Sequence, residues 1–560
     1  MVKINSAWAI AFKVLSILAL ISIGVSNLAR AQGTDGETTE TETAEIAPSG
    51  VATMQWAAEA PALTPEQSAQ LAYWAEKVNL PGPERPGAAS EAAAGAALDV
   101  GSQSVKVPTR LSPKAPLAPG DAQIYRKTAF GGVVPAGLKS NTMGSSVSQN
   151  GKFAFFTGNW FAARSTDGGV NWSYLSAYSG FPDFCCDQVT LYDASRGTLF
   201  WLRTGTPNEV TGVNSFRLGV SNDGGATFCN YETSPFNVNS NWKNQWWDSP
   251  AHIQLGADYL YMAWNLRDTA GNWMRSVMLR WPLNALNNCA VFSSNYFQTT
   301  SWFNVVPVQG ADHVMYFASN YPTSSPFNRL NIWRWFENAT SLSAFTKTIS
   351  PWNYTKRGEA VCGNAAGNWA RRTDDRLLSG ARYFVQGKDL AYPGRAVLGW
   401  WWNVKQGGSF PRPYIEAAAF FEDTLAQVPG PQGRPLVWSP TTCFLYPSAA
   451  ANQRGDLGLV FHYGNGPALR PAVGFAIADD FVNAPPAFTY YQVQLSNARP
   501  SDTTWGDYNT TRGFYPSQDT WVAGSHYIPG TTNCAACSAP VFFNFGRGRD
   551  YQSWYYWRNK

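Results

Sequence analysis

The sequence predicts an all-β protein: a β-propeller of seven blades, each a four-stranded antiparallel sheet, preceded by a disordered linker. Three observations support this prediction. A composite strand pattern recurs from about residue 143 to the end, and an eight-residue turn motif occurs twice. Aromatic residues make up 15% of the 560 residues, whereas charged residues make up only 14%. Because every blade packs on both faces, a propeller accounts for such an aromatic excess.

Residues 1–31 have the features of a secretory signal peptide. Lys3 and Lys13 precede an apolar stretch at 14–25, and Ala29-Arg30-Ala31 forms a small-x-small cleavage site. The alternative is a membrane anchor, but an apolar run of roughly 12 residues is short for a span that needs about 20. The sequence therefore predicts a secreted or periplasmic protein with no stable membrane span after signal removal.

Residues 32–123 are predicted to form a flexible linker. The segment begins rich in Thr and Glu and ends rich in Ala, Pro and Gly, and such a composition buries little apolar surface. One short helix is expected at 64–78, because Thr64 can cap it and Gln67 completes a capping box. The propeller is then expected to span 124–560.

Seven clusters of small or acidic residues next to strand-like runs mark the predicted blade starts. Their spacing of about 40 to about 75 residues suits propeller blades with loop insertions. Six or eight blades are alternatives, as is a pair of β-sandwiches, although sandwiches show no long-period repeat. The starts are Gly144–Ser146, Cys186–Gln188, Asp248–Pro250, Asn304–Val306, Thr373–Asp375, Tyr446–Ser448 and Gly506–Tyr508.

The repeated turn motif lies at 165–172 (Ser-Thr-Asp-Gly-Gly-Val-Asn-Trp) and at 221–228 (Ser-Asn-Asp-Gly-Gly-Ala-Thr-Phe). The Asp can accept hydrogen bonds from nearby backbone N–H groups, and the glycines supply positive φ. The motif resembles the Asp-box, or BNR repeat, of sialidase-like β-propellers, with Asn171 where Thr is usual. The resemblance implies scaffold roles, not catalysis, for Asp167, Gly169, Trp172, Asp223, Gly225 and Phe228.

Eight cysteines in an exported chain predict up to four disulfides, whose pairing the sequence leaves open. Adjacent Cys185 and Cys186 allow either a vicinal disulfide or two separate bridges. Cys534 and Cys537 have CxxC spacing, and without a second CxxC or a nearby downstream His a structural staple is preferred over redox or zinc chemistry. No cofactor or catalytic metal is predicted, with structural Ca²⁺ on Asp-rich loops as an alternative.

In a propeller, the first strand of each blade lines the central channel. The blade starts and the loops after the second strands therefore lie on the same face. Aromatic rings and charged groups there suit a polar, ring-shaped ligand such as a sugar. The predicted catalytic residues are Asp187, Asp248, Asp507, Tyr508, His462 and His526. The predicted ligand-binding residues are Arg372, Asp374, Tyr446, Trp247, Trp505 and Arg203.

Several chemistries remain open at this face. The resemblance to sialidases implies an arginine triad, for which Arg372, Arg454 and Arg512 are candidates, with a tyrosine nucleophile and an Asp acid/base. However, Gly131–Pro135 stands where that family has an Arg-Ile-Pro tripeptide. Other glycoside hydrolases need two facing carboxylates, and a polysaccharide lyase would remove a proton with His or Tyr. A non-catalytic propeller that binds glycan or protein is the alternative.

The expected partner is a polysaccharide or glycoconjugate, bound by a monomer. A net charge of +4 is too small and too evenly spread to indicate nucleic-acid binding. The blade loops differ strongly from one another, which favours one asymmetric site over seven equal ones.

Overall fold

In the computed structural model, seven antiparallel sheets surround a central channel, so the predicted seven-bladed β-propeller is confirmed. Each innermost strand contacts that of the next blade, and the seventh contacts the first. The structure describes residues 37–40, 42–58, 63–67, 69–70, 81–85, 121–130, 144–208, 210–363, 367–385, 394–464, 469–479, 489–500, 505–530 and 538–560. The predicted signal peptide, Gly131–Pro135, Cys534 and Cys537 lie outside these residues.

Every predicted blade start overlaps or shortly precedes an innermost strand. From channel to rim, the strands are Ser146–Asn150, Phe153–Thr157, Phe161–Ser165 and Ser173–Ser176 in blade 1; Phe184–Asp193, Thr198–Gly205, Phe216–Ser221 and Thr227–Thr233 in blade 2; Gln245–Leu255, Tyr259–Asp268, Trp273–Pro282 and Phe292–Thr299 in blade 3; and Val306–Pro307, Val314–Ser319, Arg329–Phe336 and Ser341–Thr348 in blade 4. They are Leu377–Phe384, Ala396–Val404, Tyr414–Phe421 and Leu436–Val437 in blade 5; Cys443–Ala451, Leu457–Gly464, Ala472–Ala478 and Tyr490–Leu495 in blade 6; and Thr510–Gly513, Trp521–Tyr527, Ala539–Arg547 and Ala122–Ala129 in blade 7.

The aromatic excess lies mainly between the blades. In blade 2 the strand Thr198–Gly205 is buried along its whole length because sheets pack on both of its faces. Trp201 of that strand packs against Phe155 of blade 1, with ring centroids 5.7 Å apart. In blade 3, Trp264 stacks on Phe216 of blade 2 at 4.8 Å.

Short helices and a small ribbon connect these strands. The ribbon pairs Trp302–Phe303 with Tyr321–Pro322 above blade 4. Among the described residues with defined element bounds, the α-helices are Pro235–Val238, Leu283–Asn287 and Tyr551–Arg558, and the 3₁₀ turns are Ser240–Trp242, Gly430–Gly433 and Gly548–Asp550.

Blade 7 closes the ring with strands from both ends of the propeller. Its outer strand Ala122–Ala129 pairs antiparallel with Ala539–Arg547, the last strand of the chain. The sheet therefore joins the first and last propeller strands by backbone hydrogen bonds.

Part of the segment predicted to be a flexible linker is instead a set of rim strands, which corrects that prediction. Glu37–Glu40 adds a fifth strand to blade 4, Glu42–Ile46 to blade 3, and Pro48–Thr53 to blade 2. An edge strand obtains its hydrogen bonds from an existing sheet, so a Thr/Glu-rich sequence suffices. Ile46 is the apolar anchor, at 3% exposure.

Two further pieces of the same segment are ordered against the propeller. The backbone of 65–67 and 69–70 is helical, and Thr64 and Gln67 exchange the two hydrogen bonds of a capping box. Residues 71–78 of the predicted helix lie outside the described residues. The segment 81–85 contacts the loops above blades 3 to 5.

The two repeated Asp-Gly-Gly turns have the same hydrogen-bond pattern. In each, the Asp carboxylate accepts from backbone N–H groups three and four residues farther along the chain. The side chains of Asn171 and Thr227 both donate to the second carboxylate oxygen at 2.6 Å, so the amide replaces the hydroxyl. Trp172 and Phe228 pack against the preceding blade.

Three disulfides join the described cysteines, none of which is free. Cys185–Cys186 is the vicinal alternative, Cys229–Cys289 links blade 2 to blade 3, and Cys362–Cys443 ties the segment before blade 5 to blade 6. Across the described ranges, we find no helix with the length and apolar character needed to cross a bilayer.

Candidate functional site

Charged and hydroxyl side chains converge where the channel opens on the top face, the face on which innermost strands begin. They come from blades 2 and 7 and from the long segment before blade 5. We call this set the mouth cluster: Asp187, Arg357, Arg372, Asp374, Arg376, Asp507 and Tyr508. Five of the seven are predicted site residues, and only Arg357 and Arg376 are additions.

A hydrogen bond crosses the mouth from blade 7 to blade 2. The Tyr508 hydroxyl donates to Asp187 Oδ1 at 2.7 Å. The Tyr508 side chain passes blade 1 at Gly144, where any side chain larger than that of glycine would collide with the Tyr508 hydroxyl group. Burial, and next the charge of Asp187, raise the pKa of Tyr508 well above its usual range. Tyr508 is therefore a protonated donor at neutral pH.

Three arginines and two aspartates complete the mouth cluster. Arg376 Nε lies 3.2 Å from Asp374 Oδ1, and Arg357 Nε lies 3.7 Å from the other oxygen of the same carboxylate. Arg372 Nε lies 3.6 Å from Asp507 Oδ1. Burial lowers the pKa of Arg357 to about 10, helped by the neighbouring arginines. The Arg357 guanidinium group therefore remains charged at neutral pH.

The backbone is strained at three of the blade starts on this face. Cys186, Asn304 and Tyr446 have φ values of 73°, 57° and 59°, in the left-handed region that disfavours residues with a Cβ. Local bonds hold these conformations, for example the donation from Asn304 Nδ2 to the carbonyl of Leu377 at 2.8 Å. Such strain is common at binding and catalytic sites, where the surrounding structure fixes it.

Beneath the mouth cluster lies a cavity of about 90 Å³. Its upper wall includes His252, Asn304, Arg376, Asp507 and Tyr508. Burial, and next the charge of Arg376, lower the pKa of His252 to about 4, so this imidazole is neutral at physiological pH. The cavity can thus present a neutral imidazole, a carboxylate and a phenol to one small group.

A buried ion pair anchors the segment that carries the three arginines. Arg85 Nη1 donates to Asp375 Oδ2 at 2.8 Å, and the Arg85 guanidinium lies 3.3 Å from the ring centroid of Tyr321. Trp352 Nε1 donates to the same carboxylate oxygen at 2.6 Å. Asp375 directly precedes Arg376, so residue 85 of the N-terminal segment positions the mouth cluster from outside the propeller.

Two predicted catalytic histidines lie in a core between blades 6 and 7. His462 and His526 are both fully buried, their ring centroids are 4.6 Å apart, and Trp505 packs against both within 5 Å. Burial lowers the pKa of His462 to about 4. Tyr446 shares this core and donates to the carbonyl of Trp369. None of the four lines the cavity beneath the mouth.

Three more predicted site residues are buried in contacts between neighbouring structural elements. Asp248 accepts from Arg267 Nε at 2.7 Å, with both side chains at most 3% exposed. Trp247 donates to the carbonyl of Thr233 at 3.0 Å, and Arg203 donates to two blade 1 carbonyls while lying over the ring of Trp201. These side chains join neighbouring strands and loops and do not reach the mouth.

The proposed triad of Arg372, Arg454 and Arg512 does not converge. Arg454 pairs with Asp456, Asp519 and Asp550 on the bottom face, and Arg512 lies within the channel. The basic groups that do meet come from one segment before blade 5. The sequence feature that could have revealed these basic groups is a short run in which Arg371, Arg372 and Arg376 flank two aspartates.

One group of potential metal ligands occurs among the described residues. Ligand atoms of Asp258, His313 and Glu337 lie within 4.8 Å of one another on the bottom face between blades 3 and 4. Glu337 already accepts the backbone N–H of Asp258 at 3.1 Å and contacts His313 Nδ1 at 3.2 Å. We therefore assign this group a structural role in joining the turns of two blades.

Comparisons with known proteins leave the function to be argued from these residues. No family model matches the chain, and no curated protein matches it. Among solved structures, it is similar to an endo-arabinase from Bacteroides thetaiotaomicron, with 12% identity over 64% of this chain and 92% of that chain (TM-score 0.28). It is also similar to an apocarotenoid oxygenase from Synechocystis, with 8% identity over 62% and 71% (TM-score 0.35). A third is the GH93 α-L-arabinofuranosidase of Fusarium graminearum, with 10% identity over 60% and 93% (TM-score 0.33). Likenesses this weak carry no functional argument.

Proposed function

We propose that this protein is an exported, carbohydrate-active enzyme that binds a carboxylate-bearing saccharide at the mouth cluster and hydrolyses its glycosidic bond. The observation that carries the proposal is the hydrogen bond from Tyr508 to Asp187 across the channel, with arginines and a second carboxylate around it. The resemblance of the Asp-Gly-Gly turns to those of sialidase-like propellers agrees with it. The three disulfides favour an oxidising compartment.

The arginines supply the binding step. A guanidinium group binds a carboxylate through paired hydrogen bonds, which give both affinity and orientation. The ion pairs of Arg372 and Arg376 measure 3.6 and 3.2 Å, longer than the 2.7 Å of the Arg267–Asp248 pair. A substrate carboxylate can therefore compete for these guanidinium groups more easily than for that of Arg267.

Tyr508, Asp187 and Asp507 supply the chemistry. Asp187 takes the hydroxyl proton as the Tyr508 oxygen attacks the anomeric carbon, and the bond from that carbon to the leaving oxygen breaks. Asp507 enters this step as the carboxylic acid, after the substrate carboxylate has replaced it as the partner of Arg372, and gives its proton to the leaving oxygen. Asp507 then takes a proton from the water that releases the sugar from Tyr508, and Asp187 returns the proton to the tyrosine. Because the pKa of Tyr508 is raised, the proton must move during the attack and not before it.

We expect Tyr508→Phe and Asp187→Asn to lower turnover by about 10²-fold or more, because each removes the nucleophile or the proton acceptor. The wild type and the variants are assayed against sialosides, acidic polysaccharides and neutral glycosides, and the reducing ends that are released are measured. Asp423→Asn is the control, since Asp423 is 61% exposed and pairs with Arg395 at the rim; its turnover should equal that of the wild type.

Full turnover in both mouth variants would overturn the site. An unsaturated uronate in the products, seen by its ultraviolet absorbance, would replace hydrolysis with elimination. Saturable glycan binding without any product would identify a binding protein instead of an enzyme.

A further inference from the structure

The central channel holds two cavities, and we call the level between them the waist. The cavity beneath the mouth cluster, of about 90 Å³, lies above it, and a second cavity of about 670 Å³ opens on the bottom face. Of the residues that the structure describes, three line both cavities: Gln254, Gln309 and Arg512. Whatever passes between the two cavities, or binds there, meets these side chains.

Arg512 is held rigidly at the waist. It is 9% exposed, its Nε donates to the carbonyl of Val147 at 3.0 Å, and its Nη1 donates to Gln309 Oε1 at 3.1 Å. The Gln309 amide is fixed in turn, because its Nε2 donates to the carbonyl of Thr511 at 3.1 Å. The guanidinium plane therefore has one orientation, set by two innermost strands and a glutamine.

Within the described part of the chain, no carboxylate forms an ion pair with Arg512. Three buried arginines elsewhere have such partners, at 2.7 to 2.8 Å: Arg85 with Asp375, Arg267 with Asp248 and Arg547 with Asp479. Two others, Arg203 and Arg280, donate to two or three backbone carbonyls instead. Arg512 differs from both groups, because it has one backbone carbonyl as acceptor and lines two cavities. A guanidinium group has five N–H donors, and the bonds to Val147 and Gln309 use only two of them. Burying a cation without a counter-charge is unfavourable unless an anion from solution supplies that charge.

We propose that the waist is a binding site for one small inorganic anion, of the chloride or phosphate class, held by the Arg512 guanidinium. Arg512 lines both cavities, and the polar residue Gln254 lines the same space. Burial lowers the pKa of Arg512 only to about 9, so the group stays cationic at neutral pH. The site lies below the mouth cluster and does not depend on the proposed hydrolysis.

Anion titrations of the purified full chain test the site. Sodium chloride and sodium phosphate are added to a buffer that contains only large organic anions, and sodium gluconate keeps the ionic strength constant. Because a ligand that binds the folded state raises the melting temperature, chloride or phosphate should raise it saturably. Arg512→Gln should remove this response. Arg382→Gln is the control, since Arg382 lines the bottom cavity but pairs with Glu422.

The position of the anion is read directly from crystals of the wild-type protein grown with bromide. An anomalous bromide peak within hydrogen-bond distance of the Arg512 guanidinium supports the site, even if Arg512→Gln does not fold. The absence of such a peak, or a titration in which neither anion gives a saturable shift, overturns it. A response retained in Arg512→Gln would also overturn it, because the anion would then bind elsewhere.

Discussion

At the scale of single residues, a buried ion pair between Arg85 and Asp375 holds the segment before blade 5 in place on the top face. The side chains of Arg85 and Asp375 are only 3% and 2% exposed, and the ion pair measures 2.8 Å. Burial raises the pKa of Asp375, while the charge of Arg85 opposes that effect. The pair thus places a positive charge against the buried Asp375 carboxyl group beside Arg376, and without Arg85 that group would lose its charged partner.

We expect Arg85→Ala to lower the free energy of unfolding by about 3–5 kcal/mol, because it leaves Asp375 buried without its counter-charge. Urea unfolding measures the change. The matched control is Arg395→Ala, whose ion pair with Asp423 is 31% and 61% exposed and should contribute less than about 1 kcal/mol. Equal, small losses for both variants would show that residues 81–85 do not anchor the top face.

The buried histidines predict a loss of stability in mild acid. His462 has a folded-state pKa of about 4, below its ordinary value of 6.5, so the unfolded chain binds the proton more readily. Its contribution to stability is complete above pH 6.5 and is lost as the pH falls towards 4, by about 3 kcal/mol. His462→Gln should flatten this part of the curve, whereas His313→Gln, at an exposed site, should not. An unchanged slope in His462→Gln contradicts the assignment.

At the scale of elements, the rim strands show what composition alone conceals. The Thr/Glu-rich segment lacks the apolar periodicity of a strand buried on both faces, so it was predicted to be a linker. Its strands bury few side chains. They depend on backbone pairing with the outer strands of blades 2 to 4; for example, Glu42–Ile46 pairs with Phe292–Thr299 of blade 3. Such pairing is a tertiary property, which local sequence patterns do not encode.

We expect Ile46→Asp to release the strand Glu42–Ile46 from blade 3, because this side chain is 3% exposed and packs in the core shared by blades 2 and 3. Hydrogen exchange should show loss of protection in Phe292–Thr299. Val51→Asp is the control in the same segment, since Val51 is 70% exposed. Loss of protection in both variants, or in neither, would mean that Ile46 is not the anchor.

At the scale of the whole molecule, the sequence predicted the blade count and most of the channel mouth, for a physical reason. Innermost strands begin at or just after recurring turn-forming and acidic residues, and propeller closure brings those starts together. Asp187, Asp507 and Tyr508 were therefore identifiable. Arg357 and Arg376 were not, because the long segment before blade 5 has no repeat to place it.

The same rule placed His462 and Trp247 on the top face but could not tell the channel wall from the core behind it. Both residues lie near the ends of strands that face the mouth, yet their side chains point between blades and are fully buried. Period-2 alternation fixes the face of a strand, whereas the twist of each blade decides which end residues reach the channel. That decision depends on packing between blades.

The central claim, that the mouth cluster binds an acidic saccharide, is tested most directly by glycan-array binding of the wild type and of Arg376→Gln. We predict that the wild type prefers carboxylate-bearing glycans over their neutral counterparts and that Arg376→Gln loses this preference. Equal binding of neutral and acidic glycans by the wild type, or an unchanged preference in the variant, would contradict the claim.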